Sequence, residues 1–491
     1  MSRPPIYFWF LVFASVALVG SGMWSEQNTP TTNEELQFRI RALQGQMRLA
    51  EGHQMMALES GLTQPDWNER AELITTTEAI ALGGSDGHAS SSVRTQAAAL
   101  WLILKLTDVP NAERGAATSE ENAPRMSSGA LAKRAKLSTT DTDTWALMLE
   151  TATGPLAAGL NQLANGTPIP PGALAATNTT PWLQHRLELQ SKHPNGPLRP
   201  ESRWLEAERS FLQRTVVLQT VVALISILGI LLLILAPILG PKRMLRTELS
   251  PPWRTDWWVG WYISLAWFLA YQGVSLVVLE LMAALDLLQE PATGLQVIAQ
   301  VISLLLALHL MRHYTHTRTT WAGLILTLKL GVASMDGQVQ RALAYALALV
   351  AIASPLVMVA TQIVEWTPIR TREHVAILEA LQATSESASP IAELSLLLTV
   401  TVGAPFCEET IFRAFMYRQL RSRYGIAWGT ALSALAFACV HGSVASLLPL
   451  FVLGVLLAFV VEWSGSVLPA IIAHGLWNLY QLMIPLVILA P

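Results

Sequence analysis

Charged residues and cysteine are what this chain has least of. Asp, Glu, Lys and Arg make up 14% of its 491 residues, while hydrophobic types make up 52%. Soluble globular proteins carry roughly a quarter charged residues, so an ordinary soluble protein is excluded and a membrane protein is indicated. The net charge of −3 provides no basic surplus, which sets nucleic acid aside as a partner. The two cysteines, Cys407 and Cys439, both lie in apolar runs. A disulfide framework is therefore excluded from the long polar stretch 24–213, whose compartment cysteine usage leaves undecided. An H-E-x-x-H zinc helix and a repeat of fixed period are also missing.

What is present is a succession of apolar runs. The first, Ile6–Gly22, follows an amino end carrying Arg3 and has no Ala-x-Ala cleavage site. Residues 1–23 therefore read as a membrane anchor, with a signal peptide as the alternative. Residues 24–213 are polar, with helix-like periodicity in Asn33–Glu59 and Ser91–Val109 and Pro/Gly breaks at Asn165–Ala173 and His193–Pro200. They suffice for a helical domain with its own core, and with no catalytic constellation in it, sensing or docking to a protein partner is the expectation. Residues 214–390 hold spans near 216–239, 257–279, 295–311 and 342–364, plus a shorter interfacial piece at Trp321–Met335. Residues 391–491 hold four more, near 391–412, 427–441, 447–461 and 467–489. Trp253, Trp257, Trp258 and Trp463 stand at span ends as interfacial anchors. The expected fold is all-α: a polytopic membrane helix bundle of about eight to nine spans with an N-terminal helical extramembrane domain.

Basic residues orient the bundle. Lys242, Arg243, Arg246 and Arg254 follow the second span, Arg312 and Arg318 the fourth, and Arg418, Arg421 and Arg423 the sixth. The alternate loops are poorer in Lys and Arg. The positive-inside rule then places the three basic loops in the cytoplasm and residues 24–213 outside it, in a multi-pass protein of the cytoplasmic or inner membrane.

Most ionisable groups in these runs sit near ends, where snorkelling accounts for them; Glu280 and His309 are of this kind. His313 and His316 have metal-like spacing but occupy a basic loop with no acidic or thiolate companion. Three places resist that reading. In "EETIFR", Glu409 and Arg413 are four apart and stack on one helical face as an ion pair, while Glu408 is rotated from Glu409 by about 100°. In "FACVH", Phe437 and His441 share a face, and in "HGLWN", His474 and Asn478 do. Each alone can be a helix–helix hydrogen bond. Together they supply a hydrolase: a carboxylate and a histidine to activate water, and a second histidine with an amide to hold a developing oxyanion. An apolar surround makes a carboxylate a stronger base, which suits that task and matches the cost of placing it there.

The segment Ala404–Asn478 closely resembles the CAAX protease and bacteriocin-processing family (CPBP, also called Abi) of intramembrane endopeptidases. That family carries E-E-x-x-x-R, F-x-x-x-H and H-x-x-x-N in order, matched here by Glu408 to Arg413, Phe437 to His441 and His474 to Asn478. The resemblance makes 391–491 the catalytic membrane core and its substrate a membrane-associated protein or peptide, either prenylated at a CAAX-type end or tethered otherwise. It implies that Glu408 activates water with His441 assisting, that His474 and Asn478 stabilise the oxyanion, and that Glu409 and Arg413 support. Ala414 stands where many members have glycine. The family is regarded as glutamate-dependent, so a site without cofactor is favoured; zinc, if bound, would use Glu408, His441 and His474.

Three other readings stand beside it. A membrane scaffold or sensor would use residues 24–213 to bind a partner without catalysis. A transporter would use the buried Glu and His as a proton relay, but paired discontinuous repeats are not apparent. A thiol protease would use Cys407 with His441 as base, against the usual role of a buried cysteine as packing. One tension is internal to the span assignment. Straight counting puts Glu408 and His441 toward opposite ends of successive spans, yet the chemistry needs them together. Pro405 permits a break there, with Glu408–Gly425 as a separate or tilted helix beside a water-filled cavity.

Overall fold

The computed structural model describes residues 4–28, 36, 39–41, 43–48, 70–82, 90–106, 143–148, 154–164, 181–192, 202–239, 256–284, 293–314, 328, 339–367, 369 and 390–489. Every regular element among them is helical. In chain order the helices used below are α1 (Ile6–Asn28), α2 (Arg70–Ala81), α3 (Ser91–Leu106), α4 (Gly154–Ala164), α5 (Pro181–Lys192), α6 (Ser202–Leu239), α7 (Trp257–Ala284), α8 (Thr293–Tyr314) and α9 (Val339–Glu365). After residue 389 come α10 (Pro390–Leu398), α11 (Ala404–Glu409), α12 (Arg418–Cys439), α13 (Val444–Ser464) and α14 (Leu468–Leu489). The chain divides into two compact units, Met1–Thr29 with Gln219–Ile484 and Pro30–Leu218 with Pro485–Pro491, each with a hydrophobic core.

The polar region folds around α3. Its run from Ala97 to Leu104 is buried on every side, as expected of a helix apolar all round. Trp101 stacks on Trp145 with ring centroids 6.1 Å apart, and its indole N–H donates to Glu78 at 3.2 Å. Burying that indole without a partner would cost free energy, so α2 supplies one. The expected breaks at Asn165–Ala173 and His193–Pro200 lie outside the described residues, as do Lys242, Arg243, Arg246, Arg254, His316 and most of Trp321–Met335.

Among the described residues, six helical stretches are long and apolar enough to cross a membrane: Ile6–Ser25, Arg209–Leu235, Trp257–Val278, Val339–Glu365, Leu394–Cys439 and Val444–Ser464. Ile298–Tyr314 is a shorter apolar helix. Helix α7 packs on α8, α9 on α13, α12 on α13 and α1 on α7. Glu280 and His309 are exposed, as expected of residues near span ends.

The stretch Leu394–Cys439 changes the span assignment. Rather than ending at 412 in a basic loop, the helical path continues past Arg421 and reverses at Gly425, whose φ of 81° and ψ of 176° interrupt α12. Only glycine adopts such angles without strain. The returning arm then runs antiparallel to the arm before it: Gly429 abuts the backbone of Arg421, and the Ser433 hydroxyl donates to the Phe412 carbonyl at 3.0 Å. Of the basic residues that resemble a loop, Arg418 is buried in the bundle, Arg421 is half-buried and Arg423 is exposed. Glu462 of α13 is buried and receives hydrogen bonds from Arg421 and from the Tyr417 hydroxyl.

The path is also widened twice. Two π-helical turns, Thr399–Gly403 and Thr410–Tyr417, flank α11. Pro405 has no N–H for the preceding turn, and Ala404 N–H reaches back to the Thr399 carbonyl. Such turns displace side chains from regular α-helical positions and recur at functional sites.

Candidate active site

The hairpin answers the problem of depth. Glu408 and His441 are nearly equidistant in sequence from Gly425, so the antiparallel arms return His441 to the level of Glu408. His441 lies just past the end of α12, where Gly442 turns the chain with φ of 66°. Its Nδ1–H donates to the Phe437 carbonyl at 2.8 Å. That bond leaves Nε2 as the acceptor of a neutral ring.

Glu409 and Arg413 form the expected ion pair, with Nη1 2.9 Å from Oε1 and both side chains fully buried. A buried pair requires further partners to offset its desolvation. Arg413 Nη2 donates to the Gly454 carbonyl at 3.3 Å, and its guanidinium lies 4.3 Å from the centre of the Phe437 ring. On the other side, Glu409 Oε1 also accepts from His474 Nδ1 at 2.9 Å. This link between residues distant in sequence fixes the His474 ring and turns Nε2 toward Glu408 Oε2, 3.9 Å away.

Phe437 is the hub between the two histidines. Its ring meets His441 at 5.0 Å, His474 at 5.6 Å and Phe412 at 5.6 Å, all edge to face. Both imidazoles are thus held through Nδ1 and against one aromatic ring. Glu408 is different. Its side chain is 18% exposed where that of Glu409 is fully buried, although each keeps a buried Oε2 with no hydrogen-bond partner among the described residues. An orphaned carboxylate oxygen on a partly exposed side chain leaves room for a polar ligand.

Asn478 sits one turn beyond His474 and donates through Nδ2 to the Val400 carbonyl at 2.9 Å. One amide hydrogen remains for another acceptor. Gly475 permits this approach: a Cβ there would stand 2.2 Å from the Thr401 carbonyl oxygen. Cys407 is buried and free, with Sγ directed at the Gln300 carbonyl at 3.9 Å, a packing contact. Among the described residues, no three His, Cys, Asp or Glu side chains are grouped to hold a metal ion.

Of the seven motif residues, Glu408, Glu409, Arg413 and His474 form one connected cluster, His441 joins it through Phe437, and Asn478 flanks it from α14, bonded to the π-helical turn. The motif spacing does not reveal the His474–Glu409 bond or the Gly454 carbonyl. The i, i+4 spacing of Phe437 and His441 does foreshadow the ring-to-carbonyl bond.

The family model described as Type II CAAX prenyl endopeptidase Rce1-like matches residues 390–480. No curated protein and no solved structure matches the chain. The matched segment spans α10, both π-helical turns, the Gly425 hairpin, α13 and the His474–Asn478 stretch of α14. Over residues 390–480, then, the chain is similar to the Rce1-like type II CAAX prenyl endopeptidase family.

Proposed function

We propose that this protein is an intramembrane endopeptidase in which Glu408 activates water to hydrolyse a peptide bond of a membrane-associated substrate. The observation that carries the reading is the unequal treatment of two adjacent carboxylates. Glu409 is fully buried with its Oε1 occupied by Arg413 and His474, while Glu408 is 18% exposed and its Oε2 stands 3.9 Å from His474 Nε2. A carboxylate held that way accepts a proton from water as the water oxygen attacks the scissile carbonyl. His441 Nε2 is the second acceptor for that proton. His474, when its Nε2 also bears a proton, donates to the oxyanion, and the free amide hydrogen of Asn478 does the same. Collapse of the tetrahedral intermediate breaks the C–N bond, and the proton taken from water passes to the leaving amine.

The chemistry needs no cofactor in this reading. The family description points to prenylated CAAX-type ends as the substrate class, with other membrane-tethered peptides as the broader alternative. Residues 24–213 are proposed to face away from the cytoplasm and to bind a protein partner. The competing scaffold reading gives the buried cluster no task beyond stability.

The test is substrate trapping in membranes. A Glu408→Gln chain should accumulate, as co-purifying intact species, membrane-tethered proteins that are shortened where the wild-type chain is present. If no protein differs in length between the two membranes, the endopeptidase reading is wrong.

A further inference from the structure

Helix α7 lies outside the family-matched residues, yet one of its faces runs antiparallel along the catalytic arm. Gln419 Nε2 donates to the Asp256 carbonyl at 2.8 Å. The Ser264 hydroxyl donates to Met416 Sδ at 3.5 Å, and Trp267 meets Phe412 edge to face at 5.7 Å. Gly260 of α7 also abuts the Gln419 side chain, so from 260 to 264 and 267 on α7 the facing positions fall from 419 to 416 and 412, about one helical turn per contact. The next turn pairs position 271 with position 408. Tyr271 stacks beside Trp267, centroids 6.3 Å apart and planes 15° apart, and it interacts electrostatically with Glu408 and Cys407. Its ring is half-buried.

We propose that Tyr271 is a positioning residue of this site, whose hydroxyl, not bonded to Glu408 in this structure, donates to the Glu408 carboxylate once the reacting water is bound and fixes the oxygen that faces it. This rests on the endopeptidase reading. Glu408 needs such help, because His474 Nε2 stands 3.9 Å away, beyond a direct hydrogen bond. A carboxylate free to rotate would present its base oxygen to water only part of the time. A phenol is a fitting donor in an apolar setting: it adds no charge, and its ring is held by stacking on Trp267. The site is thereby completed by a residue from outside residues 390–480.

The experiment compares wild type, Glu408→Gln and Tyr271→Phe in nanodiscs, using a quenched farnesylated CAAX-type peptide and a quenched peptide tethered by an acyl chain. Thermal midpoints are measured on the same samples. The expected result for Tyr271→Phe is a kcat lower by about tenfold, the size of effect one lost hydrogen bond produces, with KM within about twofold and an unchanged midpoint. A kcat equal to wild type would overturn the proposal and leave the endopeptidase reading standing. So would a lowered midpoint with unchanged kcat per folded molecule, which is the signature of a packing role. If wild type and Glu408→Gln are equally active or equally inactive on both peptides, the endopeptidase reading fails and the proposal with it.

Discussion

Arg413 is the residue on which the cluster's stability depends most. It is fully buried, and its guanidinium is shared among Glu409, the Gly454 carbonyl and the Phe437 ring. Removing one partner of a buried pair leaves the other charge unanswered, at a cost of about 3–5 kcal/mol. Arg413→Met should therefore lower the thermal midpoint clearly in detergent, and Glu409→Gln added to it should recover part of the loss. A midpoint equal to wild type in the single variant would contradict this account. The Glu409–Arg413 pair was legible in the sequence because i, i+4 spacing places both on one helical face. The His474–Glu409 bond was not, since it joins α11 to α14 and no local period encodes it. Tyr271 was invisible for a related reason: it belongs to no motif and gains meaning only from the register of α7 against the catalytic arm.

Among the elements, the Gly425 hairpin and α14 set the geometry of the site. The run "RQLRSRYG" looked like a loop because arginines are costly in an apolar segment. In the folded chain the Arg421–Glu462 pair answers part of that cost, so the helix continues to the one residue able to reverse it. The all-α class and the apolar runs were readable from composition and length. A helix over Glu408–Gly425 was also among the sequence readings, and the chain does reverse at Gly425; the Arg421–Glu462 pair with α13 was not readable, because no local period encodes it. Helix α14 carries His474 and Asn478 into place through the close approach at Gly475. Gly475→Ala puts a methyl against the Thr401 carbonyl, which forces the helix outward. A displacement on the order of 1 Å costs about a hundredfold in rate. The variant should thus fold and insert yet lose about that much kcat, measured on protein confirmed to be monodisperse. Activity within about threefold of wild type would mean that the contact does not position the site.

At the level of the whole molecule, two units with separate cores share one chain, and the family match covers 390–480 alone. The polar unit, built on the buried α3, carries no catalytic cluster that the sequence reveals. The proposed partner recognition would belong to it, while the proposed hydrolytic residues lie on α11, α14 and the turn after α12. The central claim is that Glu408, brought level with His441 by the hairpin, performs the hydrolysis without a metal ion. The most direct measurement is turnover of a quenched farnesylated CAAX-type peptide by purified protein in nanodiscs, with a strong chelator present throughout. The account predicts cleavage by the wild-type chain under these conditions and none above background by Glu408→Gln of the same thermal stability. Cleavage by Glu408→Gln at the wild-type rate, or wild-type activity that the chelator abolishes and zinc restores, would contradict it.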